Sequence, residues 1–263
     1  MNRIIVFALM FFCMTMQIEA QTLSEEEVTA KMYQAFELNK AAKKAEALEL
    51  FLIVGENTKQ QRNEGERQVY VCSQTMACQC YELLGRYKEG YLLGKSLLQG
   101  KLNDTERKDV GHLYAMNGYM YACEFIQRDE KGRADYKRGR ELISEILPYS
   151  DGQVKEYAET KIPLSWYFEG AQYAMTQSYD EALSSYEEAL NGFRDLGRVS
   201  EEVDVLSGIA SVKAHLCKFD EAKRVYYQAF VLAHQNGKVN KQMDVLRELW
   251  SCLLYTSDAA DDM

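Results

Sequence analysis

The feature of this sequence that most constrains its fold is a repeat of forty residues in its second half. The phrase Asp-Glu-Ala that ends at Ala182 recurs with its Ala at Ala222, and Tyr186 recurs as Tyr226. Spacings of three and four residues place such positions on one face of a helix. A fixed period of this length predicts a repeat array, in which each unit buries its apolar face against its neighbours.

Residue size also follows a pattern within the repeated segment. Small residues suit positions where two helix backbones approach, and large ones suit the gaps between helices. We therefore expect a set of small and aromatic residues to pack the units together: Trp166, Gly170, Tyr173, Tyr179, Ala182, Tyr186, Ala189, Phe219, Ala222, Tyr226 and Ala229.

The segment from residue 166 to 190 resembles a tetratricopeptide repeat (TPR), whose pattern is W-x2-L-G-x2-Y…A-x3-F…P. Glu169 departs from this pattern where Leu is usual, Arg194 and His234 replace the final Pro, and the period is forty instead of thirty-four. The resemblance implies an all-α fold, a right-handed α-solenoid of stacked antiparallel helix pairs. The positions that match are Trp166, Gly170, Tyr173, Ala182, Tyr186 and Ala189.

Weaker units precede this segment. Together they predict about five repeats and the first helix of a sixth over residues 21–251, with an insertion around 127–135. Pro163 is expected to open a helix, or alternatively to kink a longer helix that begins near Gln153. The small anchor positions of the five second helices are Ala47, Gly90, Gly139, Ala182 and Ala222.

The turns between helices repeat as well. Gly197 and Gly237 are expected just after helix ends, where glycine adopts a left-handed backbone. Ser200 and Asn240 follow three residues later and are expected to cap the next helix.

The two ends of the sequence differ from the rest. Residues 1–20 have one basic residue, an apolar run and a closing Ala20, which predicts a secretory signal peptide. Residues 252–263 resemble a translated sequencing adaptor and are expected to be an artefact. The natural protein is therefore expected to continue past Ser251.

The composition argues against several functions. The net charge is −9 and no basic patch is visible, so nucleic acid is not an expected partner. The three histidines lie in no metal-binding motif, and there is no phosphate-binding loop or nucleophile elbow. No catalytic, cofactor or metal site is expected in this segment.

The cysteines are irregularly spaced. They are expected to be buried small apolar residues, although a disulfide between neighbouring helices is possible in an oxidising compartment. Without the one in the signal peptide, they are Cys72, Cys78, Cys80, Cys123, Cys217 and Cys252.

The TPR resemblance also implies a binding surface, because the first helix of each unit lines a concave groove in that family. For the two tyrosines of the predicted set, packing within the fold is the expected role and ligand contact is the alternative. The residues carried over to this face are Thr75, Gln79, Glu82, Tyr119, Tyr167, Ser207, Ser211 and His215.

These expectations combine into a non-catalytic module that binds a protein or peptide. It is expected to be exported to the periplasm as the sensing region of a longer signal-transduction protein. That protein would cross the inner membrane through a downstream helix, carry a histidine kinase or a helix-turn-helix regulator, and could dimerise. The alternative is a stand-alone periplasmic scaffold for protein assembly. A polar capping helix after residue 251 would favour the scaffold, and an apolar span of ~20 residues would favour the sensor.

Overall fold

The computed structural model describes residues 23–127 and 134–261, so the predicted signal peptide lies outside the described residues. The chain divides into two compact units, residues 1–113 and 114–263. The described residues form eleven α-helices and one 3-10 turn and contain no strand, which confirms the all-α class. The predicted right-handed superhelix stays a prediction.

Helices of the first unit follow one another through short turns. Neighbours in sequence pack together from α1 to α4, and α5 crosses into the second unit. The helices are α1 (Glu25–Lys40), α2 (Lys44–Thr58), α3 (Glu64–Leu83), α4 (Tyr87–Leu98) and α5 (Asp104–Ile126).

The second unit has the same sequential packing, and its helices α9 and α11 also touch each other. Short turns between packed neighbours make successive helices antiparallel. The elements are α6 (Tyr136–Ile146), a 3-10 turn (Leu147–Tyr149), α7 (Gly152–Met175), α8 (Tyr179–Asp195), α9 (Val199–His215), α10 (Phe219–Gln235) and α11 (Val239–Asp261).

The five anchor positions share one place in the structure. Each is the fourth residue of its helix and is buried, and its N–H bonds the carbonyl of the residue that precedes the helix. A small residue here lets the next helix approach closely. The anchors are Ala47, Gly90, Gly139, Ala182 and Ala222.

One turn geometry recurs at the helix ends. After α8, Gly197 has φ +64°, and the N–H of Arg198 donates to the carbonyl of Phe193 at 2.9 Å. This is the Schellman arrangement, which satisfies carbonyls left free at a helix end. The same six-to-one bond closes α1, α3, α7, α9 and α10.

The predicted helix caps are partly wrong. Gly197 and Gly237 adopt the expected left-handed backbone. However, α9 begins at Val199 and α11 at Val239, so Ser200 and Asn240 are second helical residues and not N-caps. Because each of these turns is short, the next helix begins two residues after the glycine. Ser200 and Asn240 therefore fall inside the helix and not at its N-cap position.

Pro163 does not open a helix, because α7 begins at Gly152 and runs through it. The alternative, a longer helix that begins near Gln153, describes the structure. The ring of Pro163 packs on Gly192 of α8, where an added Cβ would lie 2.8 Å from the Pro163 Cβ.

The unusual Glu169 also has a structural reason. Its carboxylate accepts a hydrogen bond from the Arg140 guanidinium at 2.8 Å, and that guanidinium lies 3.3 Å from the Trp166 ring centroid. Arg140 is buried, so Glu169 supplies the counter-charge that a buried cation requires. A leucine at position 169 would leave this cation unpaired.

Two other expectations differ from the structure. Tyr173 is 36% exposed and does not fill a gap in the core. Among the cysteines, Cys78, Cys80 and Cys123 are buried as expected, but Cys72 and Cys217 are exposed. Cys217 is exposed because it occupies a turn, with φ +59°.

Helix α11 continues through Asp261, so the boundary predicted at Cys252 does not coincide with a break in the backbone. No helix in the described part of the chain is both long enough and apolar enough to span a membrane.

Candidate functional site

First helices of successive repeats lie side by side in the second unit. Helix α9 contacts both α7 and α11, and side chains from these three helices and from α8 lie close together. We call the meeting point the Tyr167 cluster, defined by Tyr167, Tyr186, Asp204, Lys241 and Glu248.

The aromatic half of the Tyr167 cluster is anchored by Tyr186 on α8. Its ring centroid lies 5.8 Å from that of Tyr167, with the planes inclined at 43°. Burial raises the pKa of Tyr186 to about 12, with smaller contributions from Tyr167 and Glu248. Burial is also the main reason why the pKa of Tyr167 is raised, and Asp204 and Glu248 add to it. Both phenols are therefore neutral hydrogen-bonding groups at physiological pH.

The charged half of the Tyr167 cluster comes from α9 and α11. Lys241 donates to Asp204 at 2.6 Å, which joins two successive first helices. Desolvation raises the pKa of Glu248, and the nearby Asp204 and Asp244 raise it further. Arg247 and Lys241 oppose this rise, although Glu248 makes no ion pair within the described residues.

These groups define what the cluster could bind. The neutral hydroxyl of the partly buried Tyr167 can donate to or accept from a peptide backbone, and its aromatic face supplies contact area at low entropic cost. The Glu248 carboxylate can accept from an amide or a cationic side chain. The cluster thus has the mixture of apolar and polar groups found in recognition sites, and it lacks a nucleophile paired with a base.

The structure brings only part of the predicted set to this cluster. Tyr167 belongs to it, and Ser211 lies partly buried on the same helix as Asp204. Ser207 is only 8% exposed, so the expectation that it faces a ligand is wrong.

His215 lies elsewhere on α9. It stacks on Tyr179 with ring centroids 6.0 Å apart and planes inclined at 7°. It is eight residues from Ser207, or about 12 Å along a helix. His215 is therefore a helix-end residue that packs on the start of α8.

Tyr119 forms a second aromatic contact in this unit. Its ring stacks on Tyr157 of α7, with centroids 6.3 Å apart, and the Tyr157 side chain is exposed. Burial is the largest cause of the raised pKa of Tyr119, followed by Cys123. Packing, the role expected for Tyr119, thus describes part of what it does, and the sequence pattern did not reveal the exposed Tyr157.

The three predicted residues of the first unit lie along α3. Gln79 is exposed, whereas the Thr75 hydroxyl donates to the Val71 carbonyl of its own helix at 2.7 Å. Partial burial raises the pKa of Glu82, and His112 opposes this effect. Gln79 and Glu82 are three residues apart and so share a helix face.

Sequence reasoning also missed the charged part of the Tyr167 cluster. Asp204 and Asp244 were recognisable as equivalent positions one period apart. Lys241 lies one helical turn before Asp244, so the stacking of α9 on α11 brings it to Asp204. Lys241 follows Asp204 by 37 residues, which is the forty-residue period less one helical turn. A search for oppositely charged residues at this spacing would have found the pair.

Among the described residues, no three His, Cys, Asp or Glu side chains are grouped so that they could hold a metal ion. The five cysteines whose side chains the structure describes form no disulfide: Cys72, Cys78, Cys80, Cys123 and Cys217. Burial raises the pKa of Cys78 to about 12, so its thiol is protonated and unreactive at neutral pH.

The comparisons with known proteins give only structural similarities. No protein-family model matches the chain, and no curated protein matches it. A thermophilic TPR protein of Thermus thermophilus superposes with a TM-score of 0.29 at 16% identity, over 86% of this chain and 99% of that one. The TPR2AB domain of yeast Sti1 in its pHSP90 complex gives 0.35 at 9% identity, over 87% and 99%.

The apo form of RapI gives a TM-score of 0.34 at 10% identity, over 91% of this chain and 88% of that one. The fold of the present chain is established by its own helix pairs. These pairs share buried fourth-position anchors and recurrent six-to-one turns.

Proposed function

We propose that this chain is a protein- or peptide-binding module and that the Tyr167 cluster is its main contact site. The observation that carries the proposal is the convergence of Tyr167, Asp204 and Lys241 from three successive first helices. A surface built across helices of successive repeats suits an extended segment that runs along the array.

The chemistry of the site favours a segment with a hydrogen-bonding backbone and at least one basic side chain. Glu248 has no cation within ion-pairing distance in the described residues, and desolvation together with Asp204 and Asp244 raises its pKa against the opposing effect of Arg247 and Lys241. An incoming lysine or arginine would supply that cation. The ring of the partly buried Tyr167 would pack on its aliphatic stem.

A displayed library of random 12-residue peptides, selected on the full chain, tests this proposal. Peptides that bind the site should lose at least about tenfold in affinity for Tyr167→Ala and for Glu248→Gln. Glu187→Ala is the matched control, because Glu187 is exposed on second helix α8. Circular dichroism checks that each variant is folded.

Two outcomes would contradict the proposal. One is a set of selected peptides that bind Tyr167→Ala and Glu248→Gln as tightly as the unchanged chain. The other is a loss of binding in the Glu187→Ala control alone, which would place the contact on the second helices.

We further propose that the module works outside the cytoplasm as the sensing region of a membrane-spanning signal-transduction protein. The leader-like residues 1–20 support export, and the TPR-like fold supports ligand binding. Ligand binding would shift the array between arrangements and bias the attached helix.

Fusion of residues 1–24 to alkaline phosphatase in a Gram-negative host tests export, since that enzyme is active only after export. We expect activity, and its absence would contradict an exported module. A long read of the natural gene past Ser251 tests the sensor. An apolar span of ~20 residues supports it, and a stop after a polar helix would make the protein a stand-alone scaffold.

A further inference from the structure

A second surface, which differs from the Tyr167 cluster in being apolar, lies along α11. Val239, Met243, Leu246 and Trp250 are 64%, 57%, 43% and 64% exposed. Their spacings of four, three and four residues place them within an arc of about 60° on the helix. We call these four residues the open stripe. Exposed apolar side chains arranged in this way are characteristic of a helix face that packs against another element.

The residues one period earlier show what covers such a face. Val203, Leu206 and Ala210 of α9 are equivalent to Met243, Leu246 and Trp250, and they are 1%, 5% and 0% exposed. They belong to the core that α9 forms with α8 and α10. In α9, therefore, these positions are buried by the fold, and in α11 no described element covers them.

Residue sizes across this contact are complementary. Gly170 of α7 faces Tyr186 of α8, sixteen residues later, and an added Cβ at Gly170 would lie 2.8 Å from the tyrosine ring. The next unit repeats the combination with Ala210 and Tyr226, which share one buried core. Trp250 occupies the equivalent place in α11, and it is the largest side chain where the other two helices have the smallest.

In the first unit of the chain, the size of the first-helix residue and the size of the residue sixteen positions later vary together. Ala35 is followed sixteen residues later by Phe51, and both are fully buried in one core. Cys78 is larger than Ala35, and the residue sixteen positions after it is Gly94, also buried. A larger residue in the first helix is thus accompanied by a smaller one in the second helix. Close packing requires this, because the two side chains share one volume.

We propose that the open stripe is covered by the second helix of a sixth repeat unit, and that this helix carries Gly, Ala, Ser or Cys sixteen residues after Trp250. The tyrosine of α8 and α10 cannot occupy that position opposite a tryptophan without overpacking. The inference rests on the prediction that residues 252–263 are not natural sequence. It is independent of the function proposed for the Tyr167 cluster.

The proposed pairing of Trp250 with a small residue can be tested by measuring how tightly the full chain binds a peptide that serves as the covering helix. The peptide carries the sequence of α10, Phe219–Gln235. A hydrocarbon staple between the positions of Arg224 and Gln228, both exposed in α10, removes the cost of folding the free peptide. One version keeps the tyrosine of position 226, and the other has Tyr226→Ala. Fluorescence anisotropy of labelled peptide gives the two affinities.

The unchanged chain should bind the Tyr226→Ala peptide at least about tenfold more tightly than the tyrosine peptide. The Trp250→Ala chain should reverse this preference, because the alanine restores the space that Ala210 provides in α9. A Tyr227→Ala chain is the control. Tyr227 is 66% exposed on α10, away from the open stripe, and its change should leave both affinities unaltered.

Equal affinities for the two peptides, an unchanged preference in Trp250→Ala, or binding of neither peptide would overturn the proposal. So would a dimer in sedimentation equilibrium that Trp250→Ala dissociates, since a second copy would then cover the stripe. Sequencing the natural gene gives an independent check. A tyrosine or phenylalanine sixteen residues after Trp250, or a gene that encodes residues 252–263 as printed, would contradict the inference.

Discussion

The ring of Tyr186 lies against the backbone of Gly170, so close that a Cβ added at Gly170 would come within 2.8 Å of ring atom Cδ1. A Cβ added at Gly208 of α9 would lie 2.8 Å from Cζ of the same ring. One tyrosine of a second helix thus occupies the space between two first helices. This contact positions Tyr186 beside Tyr167 and joins the core to the proposed binding site.

Gly170→Ala should destabilise the chain, because overpacking costs about 1–3 kcal/mol. A glycine-to-alanine change in a helix otherwise gains about 1 kcal/mol. The matched control is the difference between Ser184→Ala and Ser184→Gly, at an exposed position of α8, which reports the helix-propensity gain alone. Urea unfolding of these three variants and of the unchanged chain measures both effects. If Gly170→Ala raised the free energy of unfolding by as much as the difference between Ser184→Ala and Ser184→Gly, the contact between Gly170 and Tyr186 would have room for a methyl group.

Cys217→Gly should stabilise the chain by about 1 kcal/mol, because an L-residue in the left-handed conformation is strained. Cys217 has φ +59° at the turn position where Gly197 and Gly237 stand in the neighbouring turns. The reverse change, Gly237→Ala, should destabilise by a similar amount. Thermal unfolding measures both. If Cys217→Gly lowered the unfolding temperature, the Schellman turn after α9 would have to differ from the one described.

Tyr186→Phe should reduce the loss of stability at alkaline pH. Burial raises the pKa of Tyr186 to about 12 in the folded chain, above the value near 10 for an unfolded chain. The folded state therefore holds the proton more tightly. This contribution is fully present below pH ~10 and is lost as the pH rises through ~12.

Urea unfolding at pH 9 and at pH 11.5 measures this effect. Between these pH values the phenylalanine variant should lose about 1–2 kcal/mol less than the unchanged chain. Tyr227→Phe, at an exposed position, should follow the unchanged chain. Equal losses in all three chains would mean that Tyr186 ionises normally and is not buried as described.

Glu248→Gln should raise the unfolding temperature at pH 7 more than at pH 4. Desolvation and the nearby Asp204 and Asp244 raise the pKa of Glu248 above its ordinary value. The folded state thus binds this proton more tightly, and stability falls as the pH rises through the raised pKa. Neutral glutamine removes that fall. Glu187→Gln is the control, and an equal response of the two variants to pH would contradict the crowded environment of Glu248.

Much of the fold could be predicted because its determinants are local and periodic. The anchors Ala47, Ala182 and Ala222 are recognisable as small residues at fixed spacing, and each occupies the same buried place in its helix. Glycines mark only some of the turns. Gln177 and Cys217 adopt the same left-handed backbone without a glycine to reveal it. Those two turns were therefore invisible to a search based on residue type.

The binding site was less predictable because it depends on contacts between units. Tyr167 was identified through the TPR pattern, but Asp204 and Lys241 meet only when α9 and α11 stack. Ser207 was misplaced because its helix is buried on two sides, a consequence of packing that one helix cannot show. The position of Pro163 inside α7 could not be predicted from its own helix, because the residue that it packs on, Gly192, lies on another helix.

The central claim, that the first helices of the second unit form the binding face, is tested most directly by hydrogen–deuterium exchange. The chain would be measured alone and with the tightest peptide selected from the displayed library. We expect added protection in α7 around Tyr167, in α9 around Asp204 and in α11 around Lys241. Protection confined to α8 and α10, with these three regions unchanged, would contradict the account.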